Sequence, residues 1–332
     1  MGILKDCIDN KKTDKVPIWL MRQAGRYLPE FKEIRSKNTN FIKLCLNPQL
    51  SKEITLQPIK RFSLDAAIIF SDILIIPFAM GQKVEFEKNF GPKLGDLNLD
   101  EIFNVSDNEI LNKLNPIYEL IKITSKDKIL SGKDLIGFVG ATWTLLVYML
   151  NRQSPKKLDK EIYNYKNQDE LIKKIINAQK LHIKNQVENG ASIIQIFDSW
   201  AGLLGKEKFE KYIYKPTAEI VNYTKSLGAK VICFPRSIKY YKEYCNEIIP
   251  DAINIDYEVD PMYIASNIDI PIQGGMDPKC LLLEKDDMLK NAKKYLEIFK
   301  DHKYIFNLGH GVMPETKPDN VKILVDFVKN FK

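Results

Sequence analysis

Eight short apolar runs recur along the chain: PIWLM (17–21), AAIIF (66–70), LIGFV (135–139), SIIQIF (192–197), KVICF (230–234), AINI (252–255), IPIQ (270–273) and YIFNL (304–308). Each has strand length, and most are separated by stretches whose apolar residues recur at three and four. Near-continuous apolar strands between amphipathic helices predict a parallel sheet covered on both faces. Eight such units predict a single-domain (β/α)8 barrel of the TIM type over residues 1–332, in the α/β class. An open dinucleotide-binding sheet fits less well, because no Gly-x-Gly-x-x-Gly follows the first run. The clearest helical patterns cover 47–62, 167–190 and 317–331, with Gly190 as a helix stop. Alternation and a turn between Met80 and Leu94 predict a hairpin on the barrel rim. No low-complexity tract or linker marks a domain boundary.

In such a barrel the chemistry lies at the C-terminal ends of the strands. The residues just past each run are Arg22, Ser71 with Asp72, Gly140 with Ala141, Asp198 with Ser199, Pro235 with Arg236, Asp256, Gly274 with Gly275, and Gly309 with His310. Polar side chains and glycines therefore converge on one mouth. An Asp198–Arg236 ion pair across it is one structural expectation.

Composition narrows the function. The 332 residues are 45% hydrophobic and carry a formal net charge of +7. The lysines are interspersed with Asp and Asn, with no basic stripe and no interleaved aromatics, which argues against a nucleic-acid partner. No apolar stretch is long enough for a membrane span, and the N-terminus is charged within five residues, so no membrane association and a cytoplasmic location are expected. Asp6 stands where a myristoylation motif needs Ser or Thr. Five cysteines without a CxxC pair speak against a disulfide frame or zinc ribbon. The three histidines lack metal-ligand spacing, and His182 and His302 read as surface residues.

Only six of the 50 basic residues are arginine, and three of these, Arg22, Arg26 and Arg35, fall within MRQAGRYLPEFKEIR. Guanidinium is planar, permanently charged and able to grip a carboxylate with two parallel hydrogen bonds, which lysine cannot do. The cluster predicts recognition of carboxylates or phosphates.

Five segments, PIWLMRQAGRYLPEFKEIR, IIFSDILIIPFAMG, GFVGATWTLLVYM, IFDSWAG and FNLGHGVMPETKPDNV, resemble the uroporphyrinogen decarboxylase family of haem biosynthesis. The resemblance runs from about Ile3 to Val328. It implies a (β/α)8 barrel, a homodimer, neither cofactor nor metal, and removal of the four acetate carboxyls of uroporphyrinogen III to give coproporphyrinogen III. Carried over motif by motif, the pocket arginines fall on Arg22, Arg26 and Arg35, the catalytic aspartate on Asp72, the tyrosine on Tyr148, the serine on Ser199 and the histidine on His310. The pocket aromatics fall on Phe31, Phe138 and Phe197. Thr142 stands where the family commonly has proline, Tyr257 where it has tryptophan and Gly275 where it has asparagine, departures that bear on loop shape.

Each position also has a structural alternative. Asp72 could cap the next helical turn, Ser199 the helix after the fourth run, and Tyr148 could be core. Against this, eight carboxylates on the substrate explain a demand for guanidinium, and Asp72 beside the pyrrole N–H groups would stabilise a protonated ring. The proton donor is left open among Arg22, His310 and a substrate carboxyl. Within enzymes the alternative is a corrinoid or thiol methyltransferase on the same barrel, which would hold zinc through His-x-Cys; here Gly311 and Val312 follow His310. A non-catalytic tetrapyrrole-binding protein is the alternative outside them. Gly25 is expected to let the chain turn between the two arginines.

Overall fold

The computed structural model describes residues 2–331 apart from 88–89 and 157–159. Seven parallel strands form one curled sheet: β1 (Ala66–Ile68), then, after a rim hairpin of β2 (Val84–Glu87) and β3 (Gly91–Leu94), β4 (Asp134–Gly140), β5 (Ile193–Asp198), β6 (Lys230–Pro235), β7 (Ala252–Ile255), β8 (Ile272–Gly274) and β9 (Tyr304–Ile305). The spatial order β1-β4-β5-β6-β7-β8-β9 follows the chain, as right-handed βαβ crossovers dictate. The hairpin pairs antiparallel where alternation predicted it.

The first run, 17–21, forms no regular strand. It contributes a single parallel bridge, Ile18 to Phe306, yet it fills the eighth place. The Phe306 N–H donates to Pro17 O (2.8 Å) and the Asp65 N–H to Ile18 O (2.9 Å), so the segment joins the two edge strands and closes the barrel. The reason lies partly in Pro17, which has no N–H for a ladder. Asp65 also intervenes, its carboxylate accepting the Ile18 N–H (2.9 Å).

The predicted helices form at Pro48–Phe62, Gln168–Glu188 and Pro318–Asn330. Asn47 caps the first by accepting the Leu50 N–H, and Gly190, at φ +119°, ends the second. The bottom of the barrel is plugged by the helix Ile3–Ile8, whose Leu4, Cys7 and Ile8 pack with Trp19, Ile136, Ile193, Ile232 and Ile305. Above that apolar layer the interior is polar. Gln273 accepts from Trp19 Nε1 (2.8 Å) and donates to Gln195 Oε1 (3.2 Å) and Asn254 Oδ1 (2.5 Å), all fully buried. Phe138, Phe197 and Phe234 line the next layer toward the mouth, with centroid separations of 5.6 and 6.3 Å. Among the described residues no helix is long and apolar enough to cross a membrane.

Two readings of histidine need correction or refinement. His182 is not a surface residue: it lies 2% exposed in the helix Gln168–Glu188, its Nδ1 3.3 Å from the Tyr118 hydroxyl, because the helix turns that face inward. His302 is half-buried, with Nε2 2.8 Å from the Ala265 carbonyl.

Candidate active site

The segment after the first run folds into a tight turn closed by the Gln23 N–H on Leu20 O (2.9 Å). Arg22 occupies the left-handed region at φ +60°. Glycine or asparagine is usual there, and another residue pays roughly 1–2 kcal/mol in steric strain. The expectation placed the turning residue at Gly25, but Gly25 has no positive φ; its part is to accept the Leu28 N–H (3.0 Å) in a second turn.

The strained conformation is over-determined by its surroundings. Gln23, fully buried, accepts the Leu20 N–H (3.1 Å) and donates to Ala66 O (3.1 Å), while its carbonyl accepts from the Tyr27 hydroxyl (2.7 Å). Met21 donates to Asn307 Oδ1 (2.8 Å), and its carbonyl accepts the Val312 N–H (2.8 Å). Gly311 lies against the Arg22 side chain so closely that a Cβ there would overlap Arg22 Cγ and Cδ. Arg22 is exposed, yet enough protein surrounds its guanidinium for burial to act on its charge.

Asp72 follows β1, whose continuation is pinned by the Phe70 N–H on Thr55 Oγ1 (2.9 Å) and the Ile69 N–H on Ile136 O (3.0 Å). Its Oδ1 accepts the Leu74 N–H (2.9 Å), closing the turn before the helix Ile75–Ala79, whose N-cap is Leu74 and not Asp72, and Oδ2 has no hydrogen bond among the described residues. Enclosure pushes its pKa up to about 6, opposed by the Leu74 N–H and by the positive charge of Arg22. Burial lowers the pKa of Arg22, which Asp72 opposes and Arg26 and Arg236 reinforce.

Tyr148 projects from the helix Thr142–Asn151, 8% exposed, with its hydroxyl 3.4 Å from Ser154 Oγ and its ring edge-on to Trp200 (5.7 Å). Burial raises its pKa, and the charges of both Asp72 and Arg22 act on it. Across the mouth, His310 is half-buried with Nδ1 unpaired among the described residues. Enclosure and the cations Arg22 and Arg236 push it down to about 3, so it is neutral near pH 7. Arg22, Asp72, Tyr148 and His310 thus share one electrostatic neighbourhood. Arg26 borders it and has no ion pair among the described residues.

Other expected residues lie further out. Ser199 is half-buried and does not cap the short helix Ala201–Leu203, which Trp200 precedes without a side-chain cap. Phe138 and Phe197 face each other in the barrel, whereas Phe31 packs edge-on to Phe70 (5.6 Å), next to the strand end that carries Asp72. Arg35 donates to the Asn38 carbonyl at the end of its own helix and lies over the Phe41 ring (5.6 Å). Phe41 in turn packs on Phe70 (5.7 Å), so Arg35 supports the wall behind Asp72.

Asp198 and Arg236 form no ion pair. The buried Asp198 instead accepts from Thr144 Oγ1 (2.6 Å), and burial pushes its pKa up to about 7. Of the departures, Thr142 donates to Gln179 Oε1 (2.7 Å), the Tyr257 backbone N lies where a Cβ on Gly309 would be, and Gly275 has φ +108°, where asparagine would be strained and its Cβ would meet Tyr295. Gln23 and Asn307 escape a reading by sequence position. Their one signal is a carboxamide inside or beside an apolar run, which in a core must be hydrogen-bonded. Among the described residues no three His, Cys, Asp or Glu side chains are grouped to hold a metal ion.

The sequence model for uroporphyrinogen decarboxylase (URO-D) matches residues 3–331. A uroporphyrinogen decarboxylase from Rickettsia felis is 40% identical over 330 residues, covering 97% of this chain and 95% of the relative. Another from Wolbachia pipientis wMel is 39% identical over 326 residues, covering 97% and 96%. Among solved structures, a methyltransferase from Methanosarcina mazei superposes with a TM-score of 0.81 over 100% of this chain and 99% of its own. Its identity is 16%, a likeness of fold alone.

Proposed function

Since the chain belongs to the uroporphyrinogen decarboxylase family, we propose that the mouth just described converts uroporphyrinogen III to coproporphyrinogen III by removing four acetate carboxyls as CO2. The protein is thus a carboxy-lyase of porphyrin and haem biosynthesis. The observation that carries the residue assignment is the enclosed carboxylate of Asp72 within one electrostatic neighbourhood that also holds Arg22, Tyr148 and His310.

Each decarboxylation consumes one proton and releases one CO2, turning a CH2–COO⁻ arm into a methyl group. Protonation of the pyrrole carbon beside the arm makes a ring cation. The C–C bond to the carboxylate then breaks, its electron pair forms an exocyclic double bond and the ring cation is discharged. A proton added to the exocyclic carbon and one lost from the ring restore the aromatic pyrrole. Asp72, with Oδ2 free, accepts the pyrrole N–H groups and stabilises the cation, a preorganised charge in a low-dielectric site. Arg22 and Arg26 grip acetate and propionate carboxylates, each charge-assisted hydrogen bond contributing roughly 1.5–3 kcal/mol.

Tyr148 donates to a carboxylate or to Asp72, and Ser199 adds a polar contact. Phe138 and Phe197 offer a face to the macrocycle, Phe31 backs the Asp72 strand end, and Arg35 supports that wall or turns to a distal carboxylate. Neutral His310 acts by hydrogen bonding to a carboxyl and not as a store of a proton, which leaves Arg22 and a substrate carboxyl as the proton sources. The steps use no cofactor or metal. A cytoplasmic homodimer completes the reading, testable by light scattering of the purified protein and by cell fractionation.

Anaerobic incubation with uroporphyrinogen III, followed by oxidation and separation by carboxyl number, tests the reaction. Products with seven to four carboxyls are expected. Unchanged octacarboxylate after prolonged incubation would overturn the assignment.

A further inference from the structure

The six arginines divide into two sets. Arg35 is engaged by Asn38 and Phe41, Arg61 pairs with Glu30 (3.2 Å) and Arg152 pairs with Asp96. Arg22, Arg26 and Arg236 have no carboxylate partner and no side-chain hydrogen bond among the described residues. In a chain that uses lysine for ordinary surface charge, an arginine left unpaired at the barrel mouth, Arg236 half-buried and Arg22 and Arg26 exposed, calls for an anion from outside.

Arg236 is held firmly at the end of β6. Its N–H donates to Asp198 O (3.1 Å), extending the β5–β6 ladder, and its carbonyl accepts the Gly202 N–H (3.0 Å). Gly202 is required there, because a Cβ would overlap the Ser237 backbone, and Ser237 itself takes a positive φ of 59°. The nearby carboxylates have other partners. Asp256 accepts from the Ser237 N–H, the Tyr241 hydroxyl and the Glu258 N–H, and Glu258 accepts from Ser237 Oγ; Asp198 accepts from Thr144 through Oδ1 alone, and its buried Oδ2 makes no ion pair with Arg236. Arg236 follows β6 at the same end of the barrel as Arg22 and His310, and its charge acts on both.

We infer that Arg236 is a third guanidinium of the carboxylate clamp, binding a substrate carboxylate across the barrel mouth from Arg22 and Arg26. This rests on the tetrapyrrole-polycarboxylate reading above. Three unpaired guanidiniums around one mouth suit a ligand that carries several carboxylates on a rigid ring better than any monocarboxylate.

Two measurements separate the possibilities. Fluorescence titration with uroporphyrin, the oxidised octacarboxylate, reads binding without turnover. Wild type should bind, and Arg236→Met should bind at least about tenfold more weakly, a change of about 1.4 kcal/mol. Arg236→Lys should recover part of the affinity, Arg61→Met should match wild type, and all three variants should keep the wild-type melting temperature. Equal affinity for Arg236→Met and wild type, a loss shared by Arg61→Met, or no binding by wild type would each overturn the clamp. The decarboxylation assay with wild type is read separately. If uroporphyrin binds through Arg236 but no carboxyl is lost, the reaction assignment fails and the clamp stands.

Discussion

At the level of single residues, Asp72 gives the sharpest expectation. Its pKa lies near 6, above the ordinary 3.8, because the mouth disfavours the charge, so the carboxylate proposed to stabilise the ring cation is lost as pH falls through 6. Turnover should drop about tenfold per pH unit on that limb. Asp72→Asn should fold normally, lose roughly a hundredfold or more in kcat and flatten the limb; a wild-type rate would remove Asp72 from the mechanism. Gly311 supplies a second case. Its alanine variant should keep its melting temperature, because the atoms nearest the Cβ belong to the flexible Arg22 stem, but kcat/KM should fall about tenfold as the guanidinium is displaced. An unchanged value would mean that Arg22 has a second productive rotamer. The convergence of Asp72, Arg22 and His310 on one mouth was legible because strand ends in a barrel converge. The left-handed backbone of Arg22 was not, since its supports at Asn307 and Val312 lie almost 300 residues away. Arg236 was visible by position, but its lack of a partner depends on which neighbours occupy the surrounding carboxylates.

At the level of elements, periodicity located the helices and the rim hairpin well, because both carry their pattern within a dozen residues. The first run shows where that reasoning stops. PIWLM has the composition of a strand, yet Pro17 and the Asp65 carboxylate replace most of its ladder by a few specific bonds. Asp65 accepts the Ile18 N–H through Oδ2 and pairs with Lys329 (2.8 Å) through Oδ1, tying the C-terminal helix to the closure of the barrel. Asp65→Ala should therefore cost about 1–3 kcal/mol, because it leaves the buried Ile18 N–H unpaired. Denaturant unfolding measures this directly. A loss under about 0.5 kcal/mol, the usual size for a surface change, would show that the bridge to Phe306 closes the barrel unaided. Since this segment leads directly into the Arg22 turn, the variant should also lower kcat/KM at temperatures where it remains folded.

For the whole molecule, the buried titratable groups set how stability follows pH. His182 and His310 are both pushed down to about 3 by enclosure, so between roughly 6.5 and 3 the unfolded chain binds protons that the folded state refuses. Their contribution is complete above pH 6.5 and is lost as pH falls. Asp72 and Asp198 act in the opposite sense. Their pKa values are raised to about 6 and 7, so they contribute stability below about 3.8 that is lost as pH rises through those values. Each group carries a slope of about 1.4 kcal/mol per pH unit where its two states differ in protonation. Two slopes of each sign overlap between about pH 4 and 6, and in that window these four groups nearly cancel. Removing one histidine should expose the imbalance. His182→Gln keeps a hydrogen-bonding partner for Tyr118 but cannot take up a proton in the unfolded chain. Its stability relative to wild type should improve steadily as pH is lowered from 6.5 toward 3, at about 1.4 kcal/mol per unit. Urea unfolding at four or five pH values measures the difference. A gap between the two proteins that does not vary with pH would mean that His182 takes up its proton in the folded state, which its burial against Tyr118 opposes.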